Sequence, residues 1–354
     1  MATALDQHGM SDPTTPPALT TSIRLNNDLP VAEYVRLAQV AEAAGFDQLW
    51  VSHDLFLRSS PVILTAVALA TERIRIGSGI VNPYSINPAE LAMLAATLAE
   101  VSNGRFNLGI GAGAAEFLKW VGIPRERPLA TTRLALQRIR ALLDGAPVPG
   151  WAAEAYMRFA VPHRVPLYLA ALSPHMLRLA GELADGVLPL LFPPEHYLNV
   201  VPYIAEGAAL AGRSVDAIDI AACIWCSVSD DRMAAEDVLK DKIAYYGHAL
   251  SPLIWEQLGL TVDDFRPIER ALMTERDRAK ARALVTPAML RIGIAGDQTV
   301  LRERITGLLA LGVRHLSFGP PLGPDPTAAV AAIGDVVRES ITSPSPRSGR
   351  ERRS

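Results

Sequence analysis

Residues 73–116, RIRIGSGIVNPYSINPAELAMLAATLAEVSNGRFNLGIGAGAAE, form the stretch that decides the fold. Residues 73–81 alternate apolar side chains with small or polar ones, which is the period of a strand. A loop with two prolines and two asparagines follows, then an Ala- and Leu-rich helix, 89–101, and a second strand, 105–110, that opens into Gly111-Ala112-Gly113. Two strands joined by a crossover helix form a parallel βαβ unit. Because small residues let a ligand approach the backbone, we expect the functional site at the loops that follow these two strands.

Length and composition place the rest of the chain among globular proteins. The 354 residues are 49% hydrophobic, with a mean hydropathy of +0.18, which is ample for a core. The net charge of −3 gives no electrostatic case for nucleic acid or an anionic membrane surface. No run approaches the roughly 18 apolar residues of a membrane span, and residues 1–20 lack a basic segment followed by an apolar one. We therefore expect a cytoplasmic protein that binds neither nucleic acid nor membrane.

The two cysteines, Cys223 and Cys226, form a C-x-x-C motif that could suggest redox chemistry or zinc. The surrounding sequence, ACIWCSV, is typical of a strand, where positions i and i+3 point to opposite faces. One such pair is also half of a structural zinc site, and no second pair follows. The histidines show no ligand spacing on one helix face. We expect buried, apolar thiols and no metal site.

From residue 21 onward the pattern alternates strand and helix eight times, which favours a (β/α)8 TIM barrel over an open doubly wound sheet. We expect one domain over 21–340, with a mostly helical insertion at about 230–288 between strands seven and eight. Gly296 and Asp297 are expected to begin the helix before the last strand. Residues 1–20 and the basic tail 341–354 are rich in Pro, Ser or Thr and are expected to be disordered. The predicted strands are 21–27, 47–52, 73–81, 105–110, 165–171, 186–191, 218–228 and 313–318.

The segment Gly109–Ala114 fits a G-x-G-x-x-A dinucleotide fingerprint that follows a strand and precedes a helix. No clean strand ending in an acidic residue follows about 20 positions later, which argues against a Rossmann NAD site. We favour a phosphate group or polar cofactor edge held by backbone N–H groups at this turn.

Several charged residues lie where predicted strands end, as active-site residues of a TIM barrel do. His53 is a candidate acid or base, and Asp54 beside it is either its partner or a helix cap. Arg24, on an inward strand face, either pairs inside the barrel or anchors an anionic ligand. Glu116 either faces the site or complements a helix dipole.

Four segments together resemble the luciferase-like superfamily, and within it the coenzyme F420-dependent branch that includes methylenetetrahydromethanopterin reductase. They are AEAAGFDQLWVSHDLF (41–56), the opening stretch to residue 113, VPLYLAALSPHMLRLAGELADGVLPL (165–190) and GVRHLSFGPPLGPDP (312–326). The resemblance implies a TIM barrel that binds a flavin or deazaflavin at the carboxyl ends of the strands, and commonly a homodimer. It implies a non-prolyl cis peptide at Gly79–Ile80 behind the cofactor ring. The implied cofactor-binding residues are Gly79, Ile80, Asn82, Pro83, Gly111, Ala112, Gly113, Ala170, Ala171, Leu172 and Ser173.

The sequence departs from the family pattern at three places. His53-Asp54 reverses the Asp-His order that is frequent after strand two. Ala114 stands where an acidic residue often follows strand four, so Glu116 is the candidate substitute. Arg24 stands where the methylenetetrahydromethanopterin reductases have a glutamate, so we expect a different substrate.

These expectations lead to three hypotheses. The first is an F420-dependent oxidoreductase that transfers a hydride between the deazaflavin and an unsaturated or imine-like small molecule. In it His53 handles the proton and Asp54 orients it, Arg24 and Asn26 anchor the substrate, and Trp225 with the insertion covers the pocket. The second is an FMN-dependent monooxygenase that uses O₂. The third is a cofactor-binding relative without catalysis.

Overall fold

The computed structural model describes residues 19–247, 250 and 252–342. The expected disorder of residues 1–20 and 341–354 falls almost wholly outside these residues. Within them, no helix is both long and apolar enough to cross a membrane.

Eight parallel strands close into a barrel, which confirms the predicted fold. Each strand pairs with the next from β1 to β7, β7 then pairs with β9, and β9 pairs back to β1. The strands are β1 (Thr20–Leu25), β2 (Gln48–Val51), β3 (Arg75–Ser78), β4 (Phe106–Ile110), β5 (Leu167–Ala170), β6 (Gly186–Leu188), β7 (Asp219–Val228), β8 (Ile294–Gly296) and β9 (His315–Leu322).

Helices surround the barrel and fill the insertion. Outside the insertion they are α1 (Val31–Ala43), α2 (Ser60–Ala70), α3 (Pro88–Val101), α4 (Ala115–Trp120), α5 (Pro128–Leu143), α6 (Pro174–Leu183), α7 (Tyr197–Leu210), α13 (Gln298–Ala310) and α14 (Pro326–Thr342). Between β7 and β8 lie α8 (Arg232–Tyr246), α9 (Pro252–Gln257), α10 (Val262–Glu269), α11 (Arg278–Ala283) and α12 (Pro287–Leu290), with a π-helical turn at Arg270–Thr274.

Local sequence explains where several helices begin. Pro88 and Pro174 occupy first-turn positions of α3 and α6, where a missing N–H costs nothing. The Asn87 and Ser173 side chains accept hydrogen bonds from the backbone N–H groups of Ala89 and Met176. Ser59 is the N-cap residue of α2, but its side chain makes no cap hydrogen bond.

The structure corrects the sequence-based prediction at the last strands. Residues 294–296 form the short strand β8, which pairs only with the end of β7, so the following helix begins at Gln298 rather than Gly296. Strand β9 starts two residues later than predicted and continues to Leu322, because it pairs with β7 beyond an irregularity between Trp225 and Ser227.

A buried polar network occupies the amino-terminal half of the barrel interior. His315 Nε2 lies 2.8 Å from Ser22 Oγ, and His315 Nδ1 lies 2.9 Å from the Asp219 carboxylate. The Tyr168 hydroxyl donates to Asp219 at 2.7 Å. These groups therefore satisfy one another's hydrogen-bonding capacity inside the barrel.

Candidate active site

A cavity of about 600 Å³ lies at the carboxyl ends of the barrel strands. A second cavity of about 620 Å³ lies at the opposite end and includes Thr20 and Asp219, which begin strands. Active sites of TIM barrels lie at the carboxyl ends of the strands. We therefore take the first cavity as the candidate active site.

Most of the residues predicted for the site meet in this cavity. Those that line it are Arg24, Asn26, His53, Asp54, Gly79, Ile80, Asn82, Gly111, Ala112, Gly113, Ala170, Ala171, Leu172, Ser173 and Trp225. Pro83 and Glu116 are not among its lining residues.

The cavity wall formed by β3 and β4 is mostly backbone. The Gly79–Ile80 peptide is cis, as predicted. Beyond it, Val81 N–H donates to the Gly109 carbonyl at 3.0 Å, and Gly111 N–H donates to Val81 at 3.0 Å. These bonds extend the β3–β4 pairing past the cis peptide, so the loops after the two strands form a continuous surface. We call Gly79, Ile80, Gly111, Ala112, Gly113, Ala170 and Ala171 the backbone wall.

Two glycines allow the strand ends of the backbone wall to pack closely. A Cβ on Gly111 would lie 3.2 Å from both the Ala170 Cβ and the Ile80 side chain. Gly113 has a φ of +70°, and a Cβ there would lie 3.1 Å from Asn82. Asn82 itself is held by backbone N–H groups of Tyr84 and Ser85, which donate to its Oδ1 at 3.1 and 2.9 Å. The turn therefore favours glycine for both space and conformation.

Glu116 does not line the cavity, although Ala114 does. It is exposed in the first turn of α4, whereas Phe117 and Leu118 reach the cavity. With six residues, α4 is a short helix. The predicted anion site at its amino terminus therefore gains little from the helix dipole.

His53 is held in one neutral form by α2. The Ser60 backbone N–H donates to His53 Nδ1 at 3.2 Å, and the Ser60 hydroxyl lies 3.1 Å from the same atom. Because a backbone N–H can only donate, Nδ1 carries no proton and the neutral ring has its proton on Nε2. Burial lowers the pKa of His53, and Asp54 offsets part of that effect. His53 therefore presents an uncharged Nε2–H donor at neutral pH.

Ser60, not Asp54, binds His53 Nδ1. Burial raises the pKa of Asp54, and the nearby His53 ring, a long hydrogen bond from Ser52 Oγ (3.5 Å) and the charge of Lys242 oppose the shift. Asn27 holds the loop instead. Its Nδ2 donates to the carbonyls of Asp54 (3.0 Å) and Arg58 (2.7 Å), and its Oδ1 accepts from Ser52 Oγ at 3.0 Å and Asp54 N–H at 3.3 Å.

The side of the cavity opposite the backbone wall carries positive charge and aromatic rings. Arg24 Nη2 donates to the Ile224 carbonyl at 3.2 Å. The Lys242 ammonium, from α8, lies 5.0 Å from the centre of the Trp225 ring and 4.7 Å from that of Tyr246. We call Arg24, Trp225, Lys242 and Tyr246 the cationic side.

Lys242 is a charged cavity residue that sequence reasoning missed. Burial and, to a smaller extent, the charge of Arg24 lower its pKa, Asp28 and Asp54 oppose the shift, and the resulting pKa is about 8. The insertion was expected to cover the pocket, but nothing in its local pattern distinguishes Lys242 from Lys240, the other lysine of α8. Its position depends on how α8 packs over the barrel.

The cavity combines a backbone wall, a neutral histidine and a cationic side. These features are those of a TIM-barrel enzyme whose site has room for a flat ring and a small substrate. Comparison with known proteins identifies its family. The model of the luciferase-like monooxygenase family matches residues 7–315. The chain therefore belongs to the luciferase-like monooxygenase family and is an enzyme.

Similar proteins of known name are reductases and dehydrogenases. The 5,10-methylenetetrahydromethanopterin reductase of Archaeoglobus fulgidus is 34% identical over 319 residues, which cover 88% of this chain and 96% of that protein. An F420-dependent glucose-6-phosphate dehydrogenase of Nocardia farcinica is 32% identical over 316 residues, covering 82% and 88%. The structure of the coenzyme F420-dependent tetrahydromethanopterin reductase of Methanopyrus kandleri matches with a TM-score of 0.82 and 30% identity, over 91% of this chain and 99% of that one.

Proposed function

We propose that this protein is an F420-dependent oxidoreductase that transfers a hydride between the deazaflavin and an unsaturated or imine-like small molecule. Three relatives at 30 to 34% identity over most of their length carry reductase or F420-dependent names. The observation that carries the proposal is the backbone wall, with its cis Gly79–Ile80 peptide at the position expected from that resemblance.

The residues of the cavity fit a flat tricyclic ring. The backbone wall offers glycines, alanines and one isoleucine, with few side chains standing into the cavity, and Ala170 and Ala171 continue it from β5. Leu188, Leu190 and Phe192 add apolar contacts to the cavity. When bound, F420 would supply hydride transfer at its ring. Gly79, Ile80 and Gly111–Gly113 would hold one face of that ring, which leaves the other face to the substrate.

The chain's own residues position the substrate. His53 would donate a hydrogen bond from Nε2 to a polar atom of the substrate, since Ser60 fixes that tautomer. Trp225, Tyr246 and Leu250 close the cavity from β7 and the insertion, which limits access of water. Asn26, from the end of β1, would orient the substrate.

Cofactor titration tests this proposal. We expect purified protein to bind F420 in a saturable manner and to consume reduced F420 with an acceptor. His53→Gln should lower the turnover number while leaving the affinity for F420 unchanged within about twofold. Tight binding of FMN without binding of F420 would instead favour an FMN-dependent monooxygenase. Binding of F420 without turnover of any acceptor would favour a non-catalytic relative.

We also propose that the protein is a homodimer that pairs through α2 and α3. These neighbouring helices expose Val62, Leu69 and Met93 with 61%, 74% and 52% of their surfaces accessible. Grouped apolar surface of this kind is common at protein interfaces. Light scattering should give twice the monomer mass of 38.1 kDa. Leu69→Glu should yield monomers, whereas Leu210→Glu on α7, also exposed, should not.

A further inference from the structure

Two positive side chains share the cationic side without a carboxylate partner. Among the described residues, no Asp or Glu oxygen lies within the 4.0 Å ion-pair limit of Arg24 or Lys242. Within the described part of the chain, Arg24 has one hydrogen bond, to the Ile224 carbonyl, and its buried Nε has no partner there. A buried donor without a partner is costly. A ligand acceptor would remove that cost.

The Arg24 guanidinium packs closely against β9. A Cβ on Gly319 would lie 2.1 Å from Arg24 Nη2, so any other residue at this position would displace the end of the Arg24 side chain. Lys242 lies over Trp225 and Tyr246, whose ring faces attract a cation. The two cations thus come from separate elements, β1 and α8, and lie close enough for Arg24 to lower the pKa of Lys242. Two like charges in one half-buried place repel unless an anion lies near both.

The identity of the expected ligand follows from the geometry of the barrel. Strands β3, β4 and β5, which carry the backbone wall, lie across the closed barrel from β1, β7 and β9. A ring held against the backbone wall leaves Arg24 and Lys242 to the molecule that faces it. We propose that Arg24 and Lys242 form an oxyanion subsite that binds a carboxylate or phosphate group of the substrate. This inference rests on the proposed function only in calling the bound molecule the substrate.

Calorimetric titration of the full chain without cofactor tests the subsite directly. The probes are succinate and inorganic phosphate, at constant ionic strength set with sodium chloride, so that general screening stays fixed. Lys242→Gln and Arg24→Gln should each weaken binding by about tenfold or more, because a charge-assisted hydrogen bond is lost. The matched control is Lys240→Gln on the same helix, whose ammonium lies 3.2 Å from Asp237. It should bind within about twofold of the unchanged protein.

The dependence on pH gives a second readout that does not rely on a variant. Lys242 faces Arg24 from β1, Asp28 and Asp54 from the loops after β1 and β2, and Tyr246 from its own helix. Its pKa is lowered to about 8, so it is charged at pH 6.5 and neutral at pH 9.5. Carboxylates of succinate stay ionised over this range. Affinity for succinate should therefore fall as the pH rises past 8, and it should be nearly constant with pH in Lys242→Gln.

The outcomes separate this inference from the proposed function. No binding of either probe, or equal binding by all variants, would overturn the oxyanion subsite. Binding of succinate alone or of phosphate alone would support it and identify the anionic group. F420 titration of the same preparations is independent, because the backbone wall is unchanged. Failure to bind F420 would overturn the proposed function while the subsite stood.

Discussion

Asn27 is expected to be the residue that positions His53 and Asp54, and Asn27→Ala tests this. The side chain is fully buried and makes four hydrogen bonds, two donated and two accepted, to the loop that follows β2. At about 1 kcal/mol each these bonds are worth about 4 kcal/mol. Arg58 is exposed and Asp54 is half-buried, so water replaces part of the loss in the variant. We therefore expect the free energy of unfolding to fall by about 2–3 kcal/mol.

Thermal unfolding followed by circular dichroism measures this change. For a chain of 354 residues, with an unfolding entropy of about 2.1 cal/mol/K per residue, the loss corresponds to a fall of about 3–4 °C in Tm. The control is Asn199→Ala, since Asn199 is exposed and its one described hydrogen bond is to His196. That control should change stability by less than about 0.5 kcal/mol. If Asn27→Ala were as stable as Asn199→Ala, the loop would not depend on these bonds.

The same variant separates positioning from cofactor binding. Displacement of His53 by even about 1 Å should lower kcat/KM by about 10- to 100-fold. The affinity for F420 should change little, because the backbone wall is carried by other strands. A weakened affinity for F420 with unchanged kcat/KM would contradict this division of roles.

Three further predictions test other parts of the cavity. Because burial holds the pKa of His53 below 6.5, the acid limb of kcat/KM should lie below pH 6.5 and should disappear in His53→Gln. The contribution of neutral His53 to the free energy of unfolding should be full above pH 6.5 and should fall as the pH drops towards the pKa of His53 in the folded protein. Gly113→Ala should lose more stability and F420 affinity than Gly122→Ala: both positions have φ near +70°, but a Cβ meets Asn82 at the first and nothing within 4 Å at the second, so equal effects would show that the contact is unimportant. Both cysteines are buried and free, and burial raises the pKa of both thiols, so a thiol reagent should label neither in the folded protein and both in guanidinium chloride.

The barrel could be predicted because parallel strands in a TIM barrel are buried on both faces. Their apolar runs are visible without knowledge of the packing, and the helices between them begin at recognisable Pro, Ser and Asn positions. Strand ends were less certain, since pairing beyond the apolar run depends on the neighbouring strand. Strand β8 is an example. Its three residues, Ile294–Gly296, form a strand only where they pair with the end of β7.

The site could be predicted where a residue follows a strand directly. His53 and Asp54, after β2, and the turn Gly111–Gly113, after β4, reach the cavity for that reason. Arg24 reaches it from within β1. Glu116 lies outside the cavity lining and is exposed, because a helix begins between it and the strand. Lys242 could not be found, since it lies on an insertion helix whose orientation is set by tertiary packing rather than by local sequence.

The hydrogen bonds of His53 also lay beyond sequence reasoning, and they change its expected chemistry. Adjacency to Asp54 suggests a carboxylate–histidine pair, in which the ring gains basicity. In the structure, His53 Nδ1 instead accepts a hydrogen bond from the Ser60 N–H. The ring is therefore a weak base that can donate a hydrogen bond from Nε2.

Together with Ala114, this arrangement leaves few groups in the cavity that can take up a proton at neutral pH. Two groups in the cavity have a pKa that is shifted towards 7. Burial raises the pKa of Asp54, and the pKa of Lys242 is lowered to about 8. We therefore expect Asp54→Asn and Lys242→Gln to alter the pH profile of turnover, one on its acid limb and the other on its basic limb. In contrast, substitutions in the backbone wall should alter affinity for F420 without moving either limb.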